Sequence, residues 1–234
     1  MKVIILAGGL GTRISEETAD KPKPMVLIAG KPMLWHIMSI FAKQGFNEFI
    51  LATGYKTEVI ESWIETVKEP WDIKALNTGL NTQTGGRILE CMKSVPGERV
   101  FATYGDGLGN INLKALIDFH DHQGKLATVT AVRPPARFGV LQSQNGLVVR
   151  FGEKNQADAG WINGGFFVFN TEIFNYIDGD GCILEREPLE RLANEGQLVA
   201  YKHDGFWQCM DTMRDKNRLS ELWDMNKAPW KIWN

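Results

Sequence analysis

The residues with the clearest chemical use are Gly8-Gly9-Leu10-Gly11-Thr12-Arg13, followed at short range by Lys21-Pro22-Lys23-Pro24-Met25. Glycines lack a Cβ and let backbone N–H groups approach an anion closely, while Arg13, Lys21 and Lys23 lie near enough in sequence to neutralise several phosphate charges. The chemistry indicated is phosphate binding. Two better-known glycine loops do not fit. A P-loop needs Gly, four residues, then Gly-Lys-Ser/Thr, and that spacing does not occur. A dinucleotide loop needs Gly-x-Gly-x-x-Gly, but after Gly9 and Gly11 the third position is Ile14, and no acidic residue closes a second strand about 20 residues on. A tight turn with solvated lysines would explain two or three glycines alone. It does not explain three glycines, an arginine and a Lys-Pro-x-Pro segment behind one strand.

Such a loop needs a rigid support, and the apolar run Val3-Ile4-Ile5-Leu6-Ala7 reads as a buried strand that stops at it. Phe49 to Thr53 and Arg99 to Thr103 repeat the pattern. Between them, Leu34, Ile37, Met38 and Phe41 fall at helical spacing, with Pro32 in a tolerated first-turn position and Gly45 as a stop. Thr57 begins a second helix that carries Val59, Ile60, Trp63 and Ile64. Strands alternating with helices predict βαβ units and a largely parallel buried sheet, whose ligands sit beyond the strand carboxyl ends. That places the 8–13 loop and Tyr104-Gly105-Asp106-Gly107 in one crevice, which makes Asp106 a candidate metal ligand. Asp72 to Leu76 is a further strand. Thr84-Gly85-Gly86 precedes a helix with Ile88, Leu89 and Met92, and reads equally as an ordinary cap or as free backbone donors for a ligand.

Beyond about residue 132 the pattern changes. Phe138 to Gln142, Leu147 to Phe151 and Trp161 to Phe169 are short strand-like pieces, which predict a smaller, partly antiparallel region holding a second substrate. Asn163-Gly164-Gly165 interrupts the last of these, where glycine is costly without a purpose. Asp178-Gly179-Asp180 follows a helix-like segment and reads as a turn rather than an Asp-x-Asp metal motif. His36 reads as a packed or surface side chain, and His120 and His122 point to different faces of one helix, so no paired metal site is expected. Glu187 to Asn194 and Arg214 to Met225 are predicted helices, with Asp211 placed to cap the second. The aromatic tail Ala228 to Trp233 has two open destinations, its own domain or another subunit.

With 234 residues and 44% hydrophobic content, the chain fits one enlarged α/β domain, about 1–132 for one ligand and about 133–234 for the other. A net charge of -2 with mixed signs offers no basic stripe for nucleic acid. Cys91, Cys182 and Cys209 are few, odd in number and without metal-ligand spacing, which suits a reducing compartment. No signal pattern precedes the first strand and no run approaches about 18 apolar residues, so a cytoplasmic protein without a membrane partner is expected.

Leu6-Ala-Gly-Gly-Leu-Gly-Thr-Arg13 with Lys23-Pro24-Met25 resembles the opening motif of the sugar-phosphate nucleotidyltransferases. Leu34 to Met38, Thr84 to Arg87, Tyr104 to Gly107, Ile162 to Phe167, Gly205 to Gln208 and Met210 to Thr212 resemble, in order, the glucose-1-phosphate cytidylyltransferase branch. The likeness spans nearly the whole chain. It implies a Rossmann-like α/β fold with a predominantly parallel mixed sheet flanked by helices. The implied reaction joins a nucleoside triphosphate, CTP, to a sugar 1-phosphate, glucose 1-phosphate, with release of pyrophosphate and with Mg²⁺ as cofactor. A homo-oligomer is also expected. By carry-over, Arg13 and Lys23 are catalytic, Arg13 on the departing phosphates and Lys23 near the α-phosphate. Leu6, Ala7, Gly8, Gly9, Gly11, Thr12, Thr78, Thr84, Gly85, Gly86, Gly105 and Asp106 would bind the nucleotide. Gly139, Glu153, Lys154, Asn163 and Gly164 would bind the sugar phosphate, although Glu153-Lys154 taken alone also reads as a solvated pair. Asp106 and Asp211 would hold the metal. Members of this branch carry a longer segment where this chain has only Glu65 to Glu69. A thymidylyl or uridylyl enzyme, or a non-catalytic sugar-nucleotide-binding module on the same fold, remain the alternatives.

Overall fold

Eight strands form the main sheet: β1 (Val3–Leu6), β2 (Glu48–Thr53), β3 (Asp72–Asn77), β4 (Val100–Tyr104), β5 (Ala127–Val132), β6 (Ile162–Asn163), β7 (Phe167–Phe169) and β8 (Leu198–His203). The computed structural model describes residues 1–9, 11–134, 139–144, 147–153 and 160–233. β1 lies in the middle, parallel to β2 on one side and β4 on the other, and β3 continues the parallel run beyond β2. Its side chains alternate between two cores, Val3 and Ile5 on one face and Ile4 on the other, as a strand buried on both faces requires.

Among the described residues six helices of eight residues or more flank the sheet: α1 (Met33–Lys43), α2 (Thr57–Ile64), α3 (Thr84–Lys93), α4 (Leu113–Gln123), α5 (Glu187–Asn194) and α6 (Met213–Asp224). Leu34, Ile37, Met38 and Phe41 of α1 pack with Val3 and Ile5, whereas Ile88, Leu89 and Met92 of α3 pack with Ile4 beside Leu189 and Leu192 of α5. Fully burying each such side chain contributes about 1.5–3 kcal/mol, so the two cores hold β1, and the loop after it, in place.

The strands after residue 132 divide. The 139–144 and 147–153 strands make a separate antiparallel hairpin, as expected of a smaller region. Trp161 to Phe169 does not join it: β6 and β7 lie along one edge of β5, and β7 also pairs antiparallel with β4. β8 pairs in parallel with the other edge of β5. The break between β6 and β7 is the Asn163-Gly164-Gly165 step. Gly165 has φ +74, and a Cβ on Gly164 would stand 2.6 Å from Val132 Cγ1, so both glycines are required by the backbone path.

A second small ribbon matters more for chemistry. Trp207–Cys209 pairs antiparallel with Gly107–Gly109, and the Met210 N–H donates to the Asp106 carbonyl at 2.8 Å. α6 begins immediately after this ribbon, capped by the Thr212 hydroxyl in a reciprocal box with Asp215. The tail folds back on its own domain, where Trp230 is fully buried against Phe206, Trp223 and His36. His36 is itself buried, with Nε2 at 3.0 Å from the Ile28 carbonyl, and His120 is held by Thr128 and Asn170. Among the described residues no helix is long and apolar enough to cross a membrane, and all three cysteines are free thiols.

Candidate active site

Two cavities open beyond the carboxyl ends of the parallel strands. One, of about 390 Å³, is lined by Leu6, Gly8, Gly9, Gly11, Thr12 and Lys23 on one side and by Leu80, Thr82, Gln83, Thr84 and Arg87 on the other. The second, of about 480 Å³, takes in Arg13, Asn163, Glu185, Trp207 and Asp211. Tyr104 and Asp106 line both, so the cavities share a wall. Their sizes fall within the range of small-ligand sites.

A cluster of four charges occupies the junction. Lys23 Nζ donates to Asp106 Oδ2 at 2.5 Å and to Asp211 Oδ1 at 2.7 Å, and Arg13 Nη1 reaches Asp211 Oδ2 at 2.8 Å. Local structure explains each position. Gly11, with φ +64, turns the chain into a 3₁₀ turn at Thr12–Ile14 and leaves no room for a Cβ beside Lys23 and Thr18. Lys23 opens another such turn with Pro24 behind it. The ribbon formed by 207–209 and 107–109 brings Asp211 to Asp106 across more than a hundred residues of sequence. Burial opposes the charge on Lys23, but the two carboxylates together outweigh it and raise its pKa. Burial likewise opposes the charge on Asp211, and there Lys23 and Arg13 outweigh it and lower the carboxyl below its ordinary 3.8.

The cluster also answers whether a divalent ion fits. Oxygens of Asp106 and Asp211 converge on one ammonium nitrogen and so can converge on another cation. Among the described residues no group of three or more His, Cys, Asp and Glu side chains forms a metal cage. A hard ion held by this pair would complete its shell with phosphate oxygens and water, as hydrated divalent ions at phosphate sites do.

The Nucleotidyl transferase family profile matches residues 2–214. This chain belongs to that family. Glucose-1-phosphate cytidylyltransferase of Salmonella typhi is 46% identical over 256 aligned positions that cover 100% of both chains. Mannose-1-phosphate guanylyltransferase catalytic subunit beta of Dictyostelium discoideum is 32% identical, covering 95% of this chain and 64% of its own. The crystal structure of HddC from Yersinia pseudotuberculosis superposes with a TM-score of 0.74 at 27% identity, covering 95% of this chain and 99% of that one. This nucleotidyl transferase is therefore an enzyme of the sugar-1-phosphate class, with the mixed, mostly parallel α/β fold read from its sequence.

Several residues expected to contact ligand make definite contacts within the nucleotidyl transferase itself. The N–H groups of Gly85 and Gly86 are not free donors, because both point at the Cys182 carbonyl, at 2.9 and 3.3 Å. A Cβ on Gly85 would meet that carbonyl at 2.7 Å and one on Gly86 would meet Asp180 Cα at 2.6 Å, so these glycines serve close packing. Thr78 lies behind the cavity wall, its hydroxyl donating to Thr53 O and accepting from Arg87. Ala7 is buried and donates to Ala52 O, and Gly105 donates to Leu6 O while lining the first cavity. Gly164 has its N–H on Thr130 O and its carbonyl on Trp207 Nε1, and lines neither cavity. Lys21 is held by Asp20 at 3.6 Å, away from the cluster. Asp211 is not the helix cap, a place taken by Thr212. Gly139 and Glu153 are register partners at the open end of the hairpin. Lys154 lies outside the described residues.

Two residues went unrecognised in the sequence. Arg87, 5% exposed, donates to the carbonyls of Thr53, Gly8 and Leu80 and to Thr78 Oγ1, and so ties the phosphate loop to the ends of β2 and β3. Glu185 accepts from the Tyr104 hydroxyl and from Thr84 Oγ1, each at 2.6 Å.

Proposed function

We propose that this nucleotidyl transferase joins CTP to glucose 1-phosphate, forming CDP-glucose and pyrophosphate with Mg²⁺ as cofactor. The observation that carries the reading is the cluster of Lys23, Arg13, Asp106 and Asp211 at the wall between two cavities. A reaction between two anions needs matched cations where the anions meet. At 4 Å two unit charges repel by about 1 kcal/mol in water and about 4 at an effective dielectric of 20. The choice of cytosine and glucose rests on the 46% identity to a relative of that name.

An oxygen of the sugar phosphate attacks the α-phosphorus, forming one P–O bond as the bond to the β-phosphate breaks and pyrophosphate leaves in line. The attacking oxygen is already ionised at neutral pH, so no nucleophilic side chain or general base is required. Lys23 holds the α-phosphate region. Arg13, whose side chain is 72% exposed, is free to follow the departing phosphates. Mg²⁺ held by Asp106 and Asp211 would supply further neutralisation of phosphate charge. The residues lining the first cavity all precede 132, and most of those lining the second follow it.

The test is a pyrophosphate-release screen of each nucleoside triphosphate against glucose, galactose and mannose 1-phosphates, with Mg²⁺ and with chelator. CTP with glucose 1-phosphate should react fastest and chelator should stop it. Release with a different pair overturns the base or sugar assignment alone. Binding without release from any pair overturns the reaction and leaves a regulatory module.

A further inference from the structure

Tyr104, Asn163 and Glu185, which line the second cavity, belong to a chain of hydrogen bonds that the transfer chemistry does not use. Thr84 Oγ1 donates to Glu185 Oε2, the Tyr104 hydroxyl donates to Glu185 Oε1, and Asn163 Nδ2 donates to the Tyr104 oxygen at 2.9 Å. The ends of this chain are fixed in turn. Thr84 Oγ1 accepts from the Leu184 N–H at 2.9 Å, and Asn163 Oδ1 accepts from the Gly165 N–H at 2.9 Å. Burial first, and then the neighbouring carboxylate, raise the Tyr104 hydroxyl's pKa, so it remains a donor. The carboxylate of Glu185 is thereby held in one orientation on the wall of the second cavity.

Among the described residues no lysine or arginine pairs with Glu185. An ionised carboxylate offers about four acceptor sites, of which Thr84 and Tyr104 take two. An acceptor with spare sites and no cation recruits neutral donors and repels phosphate. A sugar 1-phosphate has one anionic end and one ring of hydroxyl donors. With its phosphate beside Lys23, where it attacks the α-phosphorus, its ring would lie in the second cavity, which Glu185 and Asn163 line.

We propose that Glu185 is a specificity-determining residue that accepts hydrogen bonds from hydroxyls of the sugar ring, aimed by Thr84 from the nucleotide side and Tyr104 from the shared wall. This rests on the reading of the site as a sugar-1-phosphate nucleotidyltransferase. A site built to accept from a hydroxyl rejects an analogue that lacks it, because its own polar group is then left without a partner.

The experiment compares the accepted sugar 1-phosphate with its 2-, 3-, 4- and 6-deoxy analogues by pyrophosphate release, in the wild type, Glu185→Gln and Thr84→Val. In the wild type at least one deoxy analogue should lose about 10- to 100-fold in kcat/KM, the range of a hydrogen bond to a charged group. In Glu185→Gln that discrimination should collapse at the same ring position, the KM for the parent sugar should rise at least tenfold, and the KM for the nucleotide should change less than twofold. Thr84→Val should relax the same discrimination by a smaller factor, which keeps the test available if Glu185→Gln folds poorly. An equal loss across all analogues and the nucleotide would make Glu185 a brace for Tyr104 and overturn the proposal. A wild type that releases no pyrophosphate from any pair would instead overturn the underlying reaction.

Discussion

Replacing Lys23 with methionine keeps the length of the side chain and removes its charge from between Asp106 and Asp211. At the observed 2.7 Å to Asp211, two unit charges attract by about 6 kcal/mol at an effective dielectric of 20. Most of that is offset by the cost of taking three ions out of water. Removing one partner of a fully buried pair typically costs about 3–5 kcal/mol. Here Lys23 and Asp211 are 11% and 14% exposed, but Asp106 is 26% exposed and Arg13 remains on Asp211, so a loss of about 2–3 kcal/mol is expected. Urea denaturation at pH 7.5 in chelator reads it directly. Added Mg²⁺ should then stabilise Lys23→Met more than the wild type, since no ammonium competes for the two carboxylates. Turnover should nonetheless fall at least 100-fold with Mg²⁺ saturating, because the α-phosphate has lost its cation. A variant as stable as the wild type in chelator, or stabilised equally by Mg²⁺, would refute the view that Lys23 holds the two carboxylates together.

Other perturbations separate chemistry from folding. Arg13→Ala should leave the unfolding free energy from urea denaturation within about 0.5 kcal/mol of wild type, as expected of a solvated side chain, and lower turnover at least 100-fold in the pyrophosphate assay. Arg87→Lys cannot reproduce donors to four separate oxygens, and should cost about 2–4 kcal/mol in urea while raising the nucleotide KM. His36 is buried neutral, with Nδ1 accepting from Trp230 and its pKa lowered to about 4 chiefly by burial. The unfolded chain binds this proton near 6.5 and the folded chain does not until about 4, so stability should fall as pH drops through that window, by at most about 3 kcal/mol. His36→Gln should flatten that part of the profile. Asp211 has the ordinary carboxylate sign. Its stabilisation is complete above its unfolded value of 3.8 and lost as pH falls through the lowered folded value, so Asp211→Asn should change only the most acidic part of the curve.

The parallel half of the sheet was legible because β1, β2 and β4 are short apolar runs that end near glycine, β3 alternates apolar and polar residues, and the helices between them repeat at 3.6 residues. β6 and β7 were legible as strand-like pieces but not in their place in the sheet, because they are two and three residues long and are split by a glycine step. Such pieces show no period, and only their register against β5 and β4 shows that they extend the main sheet rather than a separate region. The hairpin of 139–144 and 147–153 is longer and was readable as strands.

The site divides along the same line. Arg13 and Lys23 could be found because cations beside glycines after a strand have one chemical use, which local sequence expresses. Asp211 read as a cap on its local sequence, yet Thr212 with Asp215 three residues on is the pattern of a capping box, and that signal was available to release Asp211 for the cluster. The glycines at 85 and 86 read equally as a cap or as free donors, and long-range structure decides the donor part of that question. A helix N-terminus offers donors only if nothing else takes them, and here the carbonyl of Cys182, almost a hundred residues away, does. Arg87 and Glu185 carry no local mark at all. An arginine on a helix and one glutamate among 28 acidic residues look solvated until the fold sets them against particular carbonyls and hydroxyls. Their assignments follow from pairings between distant segments, Arg87 with the carbonyls of Gly8 and Thr53 and Glu185 with the hydroxyls of Thr84 and Tyr104, which no local stretch of sequence expresses.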